Sequence, residues 1–231
     1  MDSFLVILAF LASFFTTKNA YQLPRNMKNY FSYLEAFFMS NSMLQTRKMT
    51  MIAILSAIST VLAMPILQFS ILGLPFLKVD LTILPILIGL FTLGLGAGAA
   101  ILVIRTILWF LLFNDGVNTV VGLPMNFIAI ALFSLIIYFF VKKRFSLGKY
   151  VLGGVLATLA MTAMMVFLNL VYAIPVYETF AHYPASALSM SAYVLPVVIP
   201  FNLLEGAIFT GGYLILHYAL SQSKAIKMIN A

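Results

Sequence analysis

Between Thr50 and Ser221 the chain is a succession of long apolar runs separated by short polar breaks. A helix needs about 20 apolar residues to cross a bilayer, and runs near that length recur along the whole stretch. This repetition constrains the fold more than any other feature. A water-soluble domain of this size carries about 25% charged residues, whereas here the share is 8%, against 63% hydrophobic. The reading is an all-α membrane protein with six transmembrane helices. At about 20 residues per crossing, its 231 residues leave no room for a soluble catalytic or nucleotide-binding domain.

The first span is placed at Thr50–Gln68, ending near Pro65, and a connection Phe69–Asp80 follows. The second covers Leu81–Leu95, and the small-residue stretch Gly94–Gly98 separates it from the third, Ala99–Phe113. Asn114–Thr119 reads as a turn from its Asn, Asp and Gly content. The fourth span is Val120–Val141, the fifth Tyr150–Ile174 with Pro175 as its stop, and the sixth Ala192–Ser221. Residues 1–42 form an extra N-terminal apolar or amphipathic extension, 43–222 the six-helix substrate-binding domain, and 223–231 a tail. Within the extension, 1–38 is expected to be weakly structured or amphipathic, with Met39 and Met43 as later candidate starts. The alternative there is a seventh, short membrane helix.

Orientation follows from the basic residues, which concentrate in cytoplasmic loops. Arg47 and Lys48 precede the first span, Lys142, Lys143 and Arg144 follow the fourth, and Lys224 and Lys227 follow the sixth. Six crossings put all three groups on one side, so both ends of the core are expected in the cytoplasm. The opposite loops hold Lys78, Asp80, Asp115 and Glu178. The net charge of +7 is thus a topology signal, and nothing resembles the basic stripe that would bind nucleic acid.

Several chemistries are missing. With no cysteine, thiolate metal sites and thiol catalysis are excluded. His182 and His217 have no second ligand at metal spacing, so no metal site is expected. No phosphate-cradling G-x-x-x-x-G-K-[ST] loop, zinc helix or nucleophile turn is present. Any uphill movement must draw its energy from a partner.

Polar residues inside apolar runs are costly in a membrane and mark function. Arg105 lies in the third span, Asn126 in the fourth, Asn169 in the fifth, and Asn202 and Glu205 in the sixth. Arg105 and Trp109 share a helix face at a spacing of four, as do Asn202 and Glu205 at three. Two readings stand: the asparagines glue helices together with Arg105 bridging to Glu205, or the set lines a polar cavity. Lys78 and Asp80, at the mouth of the second span, either snorkel to the interface or belong to a loop folded over that cavity. Ala53 and Ala57, with Ser56 beside them, form a small-residue stripe that lets another helix approach closely.

The ordered set Ala53-xxx-Ala57, Phe76-Leu77-Lys78-Val79-Asp80, Pro124-Met125-Asn126-Phe127, Ala157–Thr162 with Asn169, and Pro200-Phe201-Asn202 resembles the riboflavin-specific S-component of energy-coupling factor (ECF) transporters. The resemblance covers about residues 43–222. It implies a non-enzymatic, multi-pass subunit of a bacterial cell membrane that binds riboflavin from outside, beneath the loop between its first two helices. It also implies partners: a transmembrane coupling (T) subunit docked on Ala53 and Ala57, and two ATPase subunits that drive the cycle. By the same resemblance Asn126, Asn169 and Asn202 are hydrogen-bonding candidates for the flavin, and Lys78 and Asp80 belong to the lid. The sequence departs from the family at Glu205, where a Lys often follows the Pro-Phe-Asn motif.

Riboflavin is a ligand rather than a cofactor here, and its chemistry suits these residues. A neutral, flat ring with a dione edge needs apolar walls and a few amides, which both donate and accept. Trp109 is placed to line or stack on the ring. The rivals are an S-component for a different vitamin, an intramembrane enzyme using Arg105, Glu205 and His217, and a solute channel. The last is disfavoured by the lack of repeated halves or charged rings.

Overall fold

The computed structural model describes residues 25–64, 67–70, 78, 79, 81–141, 146–182, 184 and 186–221, with backbone alone for 25–43, 69, 70, 78 and 219–221. The chain divides into two units, Met1–Met49 and Thr50–Ala231, and the site lies in the second.

Helix α1 spans Arg25–Leu62. It starts well before the expected Thr50, because nothing between Arg25 and Leu62 is Gly or Pro and no residue there breaks a helix. Residues 25–38 of the expected extension are therefore part of α1, while 1–24 lie outside the described residues. After α1, the two-residue strands β1 (Phe69–Ser70) and β2 (Lys78–Val79) pair antiparallel, with Phe69 opposite Val79. Then come α2 (Ile83–Leu93), α3 (Leu95–Leu112), α4 (Val117–Val141) and α5 (Leu147–Leu168). A π-helical segment, Asn169–Ala173, joins α5 to α6 (Ile174–Phe180). A second one, Met190–Val198, leads into α7 (Ile199–Ser221).

Two expected breaks move. The interruption between the second and third spans shrinks to Gly94, whose φ of 95° is open to glycine and strained for other residues. Gly96, Ala97 and Gly98 are already helical. Pro175 does not stop the fifth span: it lies in the first turn of α6 directly after the π segment, and such a local π adjustment accommodates a residue without an N–H. The helical path therefore continues to Phe180, and the following connection is shorter than expected.

Helices α4, α5 and α7 form the frame of the site. Near one end Gly153 of α5 lies against Phe140 of α4, and near the other Tyr172 Oη donates to Val120 O at 2.7 Å. These contacts make α4 and α5 antiparallel. Tyr150 Oη donates to Thr210 O at 2.8 Å, and further along Gly206 lies against Thr158. Helices α5 and α7 are therefore antiparallel as well, which leaves α4 and α7 parallel. At the α5–α7 contact the small residues alternate reciprocally, Gly154 under Thr210 and Gly206 under Thr158, so that the two backbones approach closely. We call the end of the bundle that carries the 113–116 and 181–189 connections its upper end.

The core gathers Ile83, Leu87, Ile101, Ile130, Phe133 and Phe209, all buried. Large apolar side chains such as Ile107, Leu111, Phe139, Leu159 and Ile215 point outward and are exposed. In water such a surface would aggregate; against lipid tails it costs nothing. Among the described residues four helical stretches are long and apolar enough to cross a membrane: Leu95–Leu112, Val117–Val141, Leu147–Phe180 and Met190–Tyr218. Ile83–Leu93 is apolar but shorter.

Candidate functional site

A row of polar groups, buried from Ser59 through Arg105 and half-buried at Asn126, crosses the bundle just below its upper end. Ser59 Oγ on α1 donates to the backbone oxygen of Thr82 at 2.8 Å. Thr82 stands at the start of α2, fully buried, and its Oγ1 accepts from Arg105 Nη2 of α3 at 2.7 Å. The same nitrogen donates to Asn126 Oδ1 of α4 at 2.6 Å. Arg105 itself is 0% exposed. Burying a guanidinium is expensive unless its donors are used, and hydrogen bonds of a charged group contribute about 1.5–3 kcal/mol each. Trp109, one turn further along α3, is half-buried with its ring centroid 5.4 Å from Arg105 Cζ, a cation–π contact.

Asn169 and Asn202 both lie beside π geometry, Asn169 as the first residue of one π segment and Asn202 four residues after the end of the other. Asn169 begins the first π segment and donates through Nδ2 to Met165 O at 2.8 Å. Asn202 follows the second and donates through Nδ2 to Val198 O at 2.8 Å. In a π turn the ladder reaches one residue further back, as in Ile174 N–H to Asn169 O and Ile199 N–H to Val194 O. An amide side chain beside that irregularity can take up a carbonyl of its own helix. Neither asparagine bonds to a second helix among the described residues, so neither acts there as helix glue. Asn202 is 2% exposed, and its Oδ1 has no hydrogen-bond partner among them. A buried acceptor left empty is costly, and π turns recur at functional sites.

The residues named from sequence are thus brought together unequally. Arg105, Trp109 and Asn126 touch or nearly touch. Asn169 adjoins them through apolar neighbours: Met125 and Ala173 share one small cluster, with Met165 against it. Asn202 belongs to α7, and Glu205, also buried, sits almost one turn after it. Lys78 lies in β2 with its backbone opposite Ser70, while Asp80 lies outside the described residues. On α1, Ala53 and Ala57 are exposed as a stripe needs, but Ser56 turns inward, 1% exposed, and donates to Ile52 O at 2.7 Å. At 100° per residue Ser56 cannot share a face with both alanines. His217 is twelve residues after Glu205 on α7, or about 18 Å along the helix, too far for the two to form an acid–base pair.

Sequence reasoning missed Thr82 and Ser59. The only available signal was a hydroxyl at the start of an apolar helix, and hydroxyls in membrane helices mostly bond their own backbone. Thr60, Thr158, Thr162 and Thr210 do so here.

Known proteins resemble this chain in sequence and in fold. The chain is 44% identical over 206 residues to the riboflavin transporter RibU of Lactococcus lactis subsp. cremoris, covering 82% of this chain and 100% of that one. It is 39% identical over 213 residues to RibU of Streptococcus thermophilus, covering 89% and 97%. To the riboflavin transporter FmnP of Bacillus subtilis it is 34% identical over 169 residues, covering 72% and 88%. The solved S component of a bacterial ECF transporter superposes with a TM-score of 0.64 at 29% identity, over 77% of this chain and 96% of that one. Residues 47–217 match the family described as the substrate-specific component of ECF transporters. With the family match over 47–217 and a relative 44% identical over its full length, the chain belongs to the substrate-specific components of ECF transporters.

Proposed function

We propose that the chain is the riboflavin-binding subunit of an ATP-driven vitamin importer of the bacterial cell membrane. The observation that carries the substrate is the 44% identity across the full length of a riboflavin transporter. The buried, empty acceptor of Asn202 and the amide of Asn126 agree with it, since a flavin's pyrimidine edge offers both N–H and carbonyl groups. The vitamin sits near the upper end, between α4, α5 and α7, with Asn126, Asn169 and Asn202 as polar contacts and Trp109 at the wall. Glu205 borders the site from α7. Lys78 and Asp80 belong to the segment that closes over it.

The protein is a transport component and not an enzyme. Its helices cross six times in this proposal: the Thr50–Leu62 end of α1, α2, α3, α4, α5 with α6, and the second π segment with α7. The upper end faces outside, and the basic groups around Arg47, Lys143 and Lys224 face the cytoplasm. Residues 43–222 form the binding domain, with 1–42 an extension and 223–231 a tail. Ala53 and Ala57 meet the coupling subunit, and two ATPase subunits supply the energy.

Equilibrium titration of the purified protein with riboflavin tests the substrate. A saturable yellow complex is expected. A preparation that stays colourless with riboflavin but binds another vitamin would move the assignment to that vitamin.

A further inference from the structure

The side-chain amides of Asn126 and Asn202 are fixed in opposite senses, each by its partner. A guanidinium has N–H donors and no acceptor, so the Asn126 atom 2.6 Å from Arg105 Nη2 is the oxygen. Its NH2 group is turned away from Arg105, on a half-buried side chain, and makes no hydrogen bond among the described residues. A backbone carbonyl only accepts, so the Asn202 atom 2.8 Å from Val198 O is the nitrogen. Its Oδ1 is then the buried acceptor that stays empty. One helix thus offers a donor and the other an acceptor.

Register sets these two groups at corresponding heights on α4 and α7. Deeper in the bundle Phe133 and Phe209 meet edge to face, with ring centroids 5.6 Å apart. Asn126 precedes Phe133 by seven residues, and Asn202 precedes Phe209 by the same number. Seven residues are about two turns and return to nearly the same face. Because α4 and α7 run parallel, both steps lead toward the upper end. Two phenyl rings fill the space between the helices at the lower level, and two short amides take their places above.

We infer that Arg105 is a positioning residue for the ligand: by holding Asn126 Oδ1 it commits Asn126 to donate, and with Asn202 committed to accept, the two amides read a ring edge where a carbonyl adjoins an N–H. That is the edge of a cyclic imide, and the inference rests on the riboflavin reading above. Arg105 is itself held by Thr82 Oγ1 at 2.7 Å and by the Trp109 face. Turning the Asn126 amide over would set N–H against N–H in a buried place. A ligand with an amino group where the flavin carries its carbonyl would meet a donor that cannot turn.

The experiment uses the full-length protein, its Asn126→Asp and Arg105→Gln variants, riboflavin, and a riboflavin analogue with an amino group replacing a pyrimidine-ring carbonyl oxygen. Aspartate keeps an acceptor on Arg105 but removes the donor. Asn126→Asp is expected to bind riboflavin about tenfold more weakly, which corresponds to about 1.4 kcal/mol. Infrared difference spectra are expected to show the bound flavin's ring-carbonyl stretch at higher frequency, as a lost hydrogen bond requires. Arg105→Gln frees the amide to turn, so the preference for riboflavin over the amino analogue is expected to shrink about tenfold. Wild-type protein that fails to bind riboflavin overturns the substrate reading itself. Wild-type binding, with both variants within twofold of it, overturns the role of Arg105 alone. Weaker binding with an unmoved carbonyl stretch and an unchanged analogue preference also overturns it, since loosened packing would do the same. If Arg105→Gln does not fold, affinity and carbonyl stretch in Asn126→Asp decide.

Discussion

Asn202 gives the proposed site its sharpest single test. Its nitrogen is occupied by Val198 O, and its oxygen is buried and empty. Asn202→Ala is expected to weaken riboflavin binding by about 1–3 kcal/mol, because a polar edge of the ligand is left without its partner. Isothermal titration of the two proteins measures this, and an unchanged dissociation constant removes Asn202 from the site. Trp109 gives a second check at this scale. It is the one tryptophan of the chain, so its fluorescence should be quenched as riboflavin saturates, and unaltered emission at saturation places the ring elsewhere. Arg105, Trp109 and the three asparagines stand out in the sequence because a polar group in an apolar run has few innocent explanations. Thr82 and Ser59 escape notice because a threonine or serine in a membrane helix usually satisfies itself.

At the scale of helices, close approach does the work that hydrophobic burial does in water, since lipid is as apolar as the core. The α5–α7 contact depends on Gly206 beneath Thr158, where an added Cβ would overlap the threonine side chain. Gly206→Val is therefore expected to destabilise the protein by about 1–3 kcal/mol through overpacking. The detergent-solubilised variant should unfold at a lower temperature, and an unchanged midpoint would show that Thr158 moves aside freely. Apolar runs announce the helices, whereas their junctions are harder to read. Pro175 looks like a terminator in sequence, yet it sits where a helix tolerates it. The π segments at Asn169–Ala173 and Met190–Val198 leave no mark in hydropathy at all. Gly94 is the opposite case: a glycine-rich stretch was visible, but only φ identifies which glycine makes the turn.

For the whole molecule, ligand and partner are assigned to different surfaces, and mutation can separate them. Ala53 and Ala57 lie on the exposed side of α1. Ala57→Trp is expected to leave riboflavin affinity within about twofold, while a bulky ring on a small-residue stripe blocks close approach of another helix. Co-purification with the coupling and ATPase subunits should then fail. Retained assembly would show that the stripe faces lipid. The bundle and its membrane setting are legible from composition and apolar periodicity, because both follow from the solvent. Which polar residues meet is not legible, because that depends on helix rotation and register.

The row from Ser59 through Thr82 and Arg105 to Asn126 has one more consequence. It begins on the inward side of α1, whose outward side carries Ala53 and Ala57, and it ends on the amide assigned to the vitamin. In the proposed roles, a cargo that tugs on Asn126 is three hydrogen bonds away from the helix proposed to dock, so a full and an empty carrier need not present the same handle to the motor.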